Sequence, residues 1–152
     1  MIRGSQQSPV GVYAFARHRL IGVDVEEMVP RADWEGVLAM YLSEYERVWF
    51  SRLASPRKPE MSYRLWTIKE AYLKSHWQGA LHLAGGHRSE PGGENEHRFH
   101  SINGESERGR NWSIIPITPA TNFSASVVVE AGPTRIRYFH WEPRRLLNSH
   151  LP

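Results

Sequence analysis

A chain of 152 residues fits one compact domain, and 40% hydrophobic residues with six Trp, six Tyr and five Phe supply enough apolar mass for a packed core. Nineteen Lys and Arg against 16 Asp and Glu leave a net charge of +3 interspersed along the chain, which favours anionic partners such as phosphates and argues against a nucleic-acid surface. The absence of cysteine excludes disulfides, thiolate zinc sites and a cysteine nucleophile, and no apolar run approaches the ~20 residues of a membrane span. With no secretory apolar stretch in the opening MIRGSQQSP, the expectation is a cytoplasmic protein with one domain over residues 1–152.

In Pro9 to Ala16, Val10, Val12 and Ala14 alternate with Tyr13 and Phe15. Leu20 to Val25 resumes a β-rich pattern after Arg17-His18-Arg19, so the two runs are expected to pair as a hairpin. Pro30 ends it, and Asp33 is placed to cap a short helix over Trp34 to Met40. Ser43 and Glu46 have capping-box spacing, in which hydroxyl and carboxylate each satisfy an orphan amide, so a second helix should cover Glu44 to about Leu53. Ser55 to Pro59 reads as a turn. From Glu60 to about Trp77, Met61, Leu65, Ile68 and Tyr72 recur at helical spacing and form one buried stripe. Residues 85–110 are polar apart from Phe99 and Ile102 and are expected to form a long mobile loop, an insertion. Strands follow at Trp112 to Ile117 and Phe123 to Glu130, then a Gly132-Pro133 turn and a last strand from Thr134 to Trp141. The implied fold class is α+β, an antiparallel sheet packed on the long helix.

Chemistry concentrates in two places. Asp24 and Glu26 lie two apart on a strand, so both carboxylates leave one face while Val23 and Val25 enter the other. Two hard oxygen donors side by side suit Mg²⁺, although a D-x-E pair alone is as readily a solvated strand end. On the long helix Glu70 and Lys74 are one turn apart and share a face with Thr67, with Lys69 one step round. The plain reading is an exposed Glu-Lys pair worth about 0.2–0.5 kcal/mol. The functional one makes Glu70 a third metal-side oxygen or a proton acceptor, with Lys69 and Lys74 neutralising a diphosphate. Trp66, one turn before Glu70, reads first as core and second as packing under the site. His82, His87, His97 and His100 have no zinc spacing, and the chain carries no Gly-x-Ser-x-Gly elbow, phosphate-binding glycine loop or dinucleotide glycine motif.

Joined, IGVDVE at 21–26 and WTIKEAYLK at 66–74 resemble the signature of the 4′-phosphopantetheinyl transferases, specifically the C-terminal half of the Sfp-type branch. The resemblance takes in the helix-start LSEYE at 42–46 and the Tyr63-Arg64-Leu65 lead into Trp66, and it covers Val10 to about Trp141. It implies transfer of 4′-phosphopantetheine from coenzyme A to a serine of an acyl or peptidyl carrier protein, the holo-[acyl-carrier-protein] synthase reaction of fatty-acid, polyketide or nonribosomal-peptide synthesis. By motif position Asp24, Glu26 and Glu70 are the implied Mg²⁺ carboxylates and Glu70 the base. Lys69 and Lys74 are the implied diphosphate contacts, and Lys74 joins Glu70 as the catalytic pair. Two positions depart from the family pattern: Gln7 stands where the larger enzymes place a coenzyme A-binding His, and Trp77 stands at a turn glycine. A homo-oligomer that builds each site between subunits, as small members of the superfamily do, reconciles a half with activity. The alternative is a non-catalytic remnant that binds coenzyme A or a partner protein without transfer. Arg31, Arg57 and Lys58 are candidates for meeting an acidic carrier helix.

Overall fold

The computed structural model describes residues 1–30, 34–76, 87–91, 97–102, 111–130 and 135–141. In chain order the elements are β1 (Ile2–Gln7), β2 (Val10–Phe15), β3 (Ile21–Glu27), α1 (Trp34–Tyr41), α2 (Glu44–Ser51), a 3₁₀ turn (Ser55–Arg57), α3 (Lys58–Ser75), β4 (His87–Pro91), β5 (His97–Ile102), β6 (Trp112–Ile117) and β7 (Phe123–Glu130).

Strand alternation builds the central layer. An antiparallel sheet in the order β3-β7-β6 pairs Gly22 with Val128, Asp24 with Ser126 and Glu26 with Ser124, and it pairs Ile114 with Val128. These residues share one face, and α3 lies on it: Ile68, Ala71 and Tyr72 pack with Trp112, Ile114 and Val128. The opposite face presents Ile21, Val23, Val25 and Val129, and the β1–β2 hairpin covers it with Val12 and Ala14. A third cluster seats α1 and α2 against α3 through Leu38, Leu42, Phe50, Met61 and Leu65. The fold is therefore α+β, an antiparallel sheet packed on a long helix.

The expected stripe of α3 is buried at Met61, Leu65, Ile68 and Tyr72, and the helix runs a little earlier at both ends than its spacing suggested. The capping box forms as expected, with Ser43 Oγ accepting from the Glu46 amide and the Glu46 carboxylate accepting from the Ser43 amide. Asp33, Arg31, Trp77 and the Gly132-Pro133 turn lie outside the described residues.

Three expectations change. The first hairpin joins β1 to β2, while β3 pairs with β7. The run β1 escaped notice because the face it turns inward carries Arg3, Ser5 and Gln7, with no apolar alternation to mark a strand. Residues 87–102, read as loop, hold the paired strands β4 and β5, and Phe99 from β5 is buried beside Tyr72 at a ring separation of 5.1 Å. With Phe99 and Ile102 as its large apolar residues, this stretch leaves little trace in hydropathy. Residues 135–141, read as the last strand, are exposed and take no strand pairing among the described residues.

Sheet and helix approach each other closely at Gly22. A Cβ there would lie 1.8 Å from the Ala71 carbonyl oxygen and 2.8 Å from the Ser75 amide nitrogen, both backbone atoms that cannot swing aside. Gly22→Ala should therefore part β3 from α3 and lower the urea-unfolding free energy by about 3 kcal/mol or more, beyond an ordinary overpacked core site. An unchanged urea midpoint would contradict this contact.

Candidate functional site

Close contact at Gly22 sets the next two outward steps of β3 against α3. Asp24 is 1% exposed, and its Oδ1 accepts from Lys74 Nζ at 2.5 Å and from Ser5 Oγ at 3.1 Å. Its Oδ2 is buried with no hydrogen-bond partner among the described residues. Glu26 Oε1 accepts from the Trp66 indole N–H at 3.3 Å. Beneath Asp24, Ser126 of β7 meets Thr67 of α3, with 2.8 Å between their buried hydroxyl oxygens. Side chains from β1 and α3 thus converge on the Asp24 carboxylate of β3.

Glu70 stands half-buried beside this pair. Its carboxyl is held above the ordinary 4.5, first by burial and then by the Asp24 charge, against the opposing pull of Lys74, with Glu26 adding to the rise. A carboxyl moved in this direction is a better proton acceptor at neutral pH than a solvated one. The linked stability runs in one direction. Glu70 favours the fold most below its unfolded pKa, and that contribution fades as pH rises through the higher folded value.

Whether these groups suit a divalent cation is a question of donor chemistry. Asp24, Glu26 and Glu70 offer hard oxygens of the kind Mg²⁺ takes, and the buried, unpaired Asp24 Oδ2 is an acceptor in need of a positive partner. As the side chains stand, no three described His, Asp or Glu groups are gathered tightly enough to hold a metal ion. Asp24 is engaged by Lys74 and Glu26 by Trp66. The residues fit the ion by type and by the open oxygen.

Lys69 does not join them. Its ammonium is 2.9 Å from Glu46 Oε2, with the two side chains 2% and 1% exposed. Burial lowers the Lys69 pKa, and the charge and hydrogen bond of Glu46 oppose that fall. The expected diphosphate contact of Lys69 is thus at odds with its place in the fold. One residue along a helix is a turn of about 100°, enough to carry Lys69 from the Glu70 side to α2. Lys74, one full turn beyond Glu70, stays on the site face.

Three contributors went unread in the sequence. Ser5 and Arg3 reach the site from β1, Arg3 through a 2.9 Å bond from Nε to the Lys74 carbonyl, and nothing in the pattern of β1 announced them. Ser126 was an ordinary strand position. Trp66, read first as core, shares a helical face with Glu70 and Lys74, at steps of four, and reaches the site. It also belongs to the core, edge-on to Trp34 and Tyr41.

A family model described as the 4′-phosphopantetheinyl transferase superfamily matches residues 20–128, well over half of the chain and both halves of the site. The chain belongs to that superfamily. Among curated proteins, the 4′-phosphopantetheinyl transferase HetI of Nostoc sp. is 28% identical over 127 residues, covering 83% of this chain and 47% of that protein. The chain therefore spans about half the length of this curated relative. Two solved superfamily-like folds are similar: holo-[acyl-carrier-protein] synthase of Thermotoga maritima, with a TM-score of 0.55, 21% identity and coverage of 76% of this chain and 65% of that one, and holo-ACP-synthase from Plasmodium yoelii, with a TM-score of 0.53, 12% identity and coverage of 77% and 98%. At these identities they establish the shared fold.

Two measurements follow from the electrostatics. Glu46→Ala should cost about 3–5 kcal/mol in chemical unfolding, because it strands a buried ammonium, and Glu46→Gln with Lys69→Met should recover most of that loss. In carboxyl NMR titrations Glu70 should titrate above 4.5, falling in Asp24→Asn and rising in Lys74→Met.

Proposed function

We propose that this chain supplies the metal and diphosphate face of a Mg²⁺-dependent 4′-phosphopantetheinyl transferase, which moves 4′-phosphopantetheine from coenzyme A to a serine of an acyl or peptidyl carrier protein. The observation that carries the reading is the buried Asp24 carboxylate, open at Oδ2, set between Lys74 and the raised Glu70. Mg²⁺ held by Asp24, Glu26 and Glu70 would offset the charge of the diphosphate. Lys74, half-exposed at the end of α3, is free to trade Asp24 for a diphosphate oxygen. Glu70 takes the proton from the carrier serine as its oxygen bonds to phosphorus. The bond from that phosphorus to the bridging diphosphate oxygen breaks, and 3′,5′-ADP leaves.

The same reading takes residues 1–152 as one transferase-like domain of the Sfp-type kind, with 85–110 as an insertion, working in the cytoplasm. A chain without cysteine fits a reducing compartment, and among the described residues no helix is long and apolar enough to cross a membrane. A homo-oligomer completes the site. It is supported by the outer face of the β1–β2 hairpin, where Ile2, Tyr13 and Phe15 are exposed by 62%, 63% and 69%. A second reading, a module that binds coenzyme A or a partner protein without turnover, is favoured by Gln7, which stands where the larger enzymes place a coenzyme A-binding His.

Incubation with coenzyme A, Mg²⁺ and apo carrier proteins, followed by intact-mass measurement, should show the carrier gaining one phosphopantetheine. Glu70→Gln should slow the gain by about 100-fold or more while staying folded. No mass gain on any of several carriers, with coenzyme A still bound, would replace the transferase by the binding module.

A further inference from the structure

We propose that Ser5 is a positioning residue for the candidate cation site: its hydroxyl fixes the Asp24 carboxylate so that Oδ2 is presented to the metal, and it ties the β1–β2 hairpin to cation binding. The inference rests on the metal reading above and assigns it a residue that lies outside both sequence motifs.

A serine hydroxyl has one proton to give and two lone pairs to fill. Ser5 spends all three on the site. Its O–H donates to Asp24 Oδ1 at 3.1 Å, and its oxygen accepts from Lys74 Nζ at 3.2 Å and from the Val25 amide at 3.3 Å. Those partners are the carboxylate, the lysine that neutralises it, and the backbone of the next residue on β3.

The arrangement divides labour between the two Asp24 oxygens. Oδ1 collects both donors, so the carboxylate cannot rotate without breaking them, and Oδ2 is left buried and unmatched. When Lys74 turns to a diphosphate, Ser5 remains as the side-chain donor holding Oδ1. Groups that orient a ligating carboxylate in this way commonly contribute about 10- to 100-fold to metal affinity. Arg3, two residues back on the same face of β1, grips the Lys74 carbonyl and keeps the strand in register with the end of α3.

Manganese reports on the site directly, since free Mn²⁺ is counted by its electron paramagnetic resonance signal without any transfer reaction. The full chain should bind Mn²⁺. Ser5→Ala should bind it about 10- to 100-fold more weakly with the metal-free Tm little changed, and Ser5→Thr, which keeps the hydroxyl, should restore the affinity. Equal affinity in Ser5→Ala and the parent chain would overturn the role of Ser5 and leave the carboxylate site standing. Absence of Mn²⁺ binding by the parent chain would overturn both. A Ser5→Ala loss that Ser5→Thr fails to repair, or one matched by a large fall in metal-free Tm, would assign Ser5 to holding the hairpin and end the proposal.

Discussion

Everything chemical in this protein depends on how closely β3 lies against α3. At Gly22 the two backbones approach to a distance that no side chain tolerates, with the Ala71 carbonyl where a Cβ would sit. Two residues further along the same strand face, Asp24 meets Lys74, and two further still Glu26 meets Trp66. A wider separation would take Lys74 from Asp24 and Trp66 from Glu26. The glycine therefore acts on the site through distance alone.

The two lysines of the second motif show how burial sorts identical side chains into different work. Lys69 is sealed against Glu46, in a pair whose desolvation is offset only while both partners remain. Lys74 pairs with an equally buried acid but is itself 40% exposed, so water can receive it when it lets go. Only the second arrangement suits a group that has to change partners during a reaction.

What was legible beforehand followed periodicity. Asp24 and Glu26 fell on one face because strands alternate, Met61 to Tyr72 lined one side of α3 because helices repeat, and Ser43 with Glu46 announced a cap by spacing. Where the period carried no apolar signal the structure could not be read. The inner face of β1 is polar because it lines the site, so the strand that brings Ser5 to Asp24 carried no mark of a strand. Between 87 and 102 the sequence has only Phe99 and Ile102 as large apolar residues, too sparse a mark to distinguish a strand from a tether. Lys69 was misplaced for another reason: neighbours in sequence on a helix do not share a direction, and only contacts with α2 reveal which way one points.

Glu46 holds two positions at once. The same carboxylate closes the first turn of α2 and neutralises Lys69, the residue next to Glu70 on α3. Helix ends usually fray at little cost, and surface helices exchange their amide hydrogens early. Here fraying of the first turn of α2 would strip a buried cation of its counter-charge, so that turn is bound to the opening of α3. The two helices should behave as one cooperative unit, and the slowest-exchanging amides of the protein would then include the start of a short, largely exposed helix.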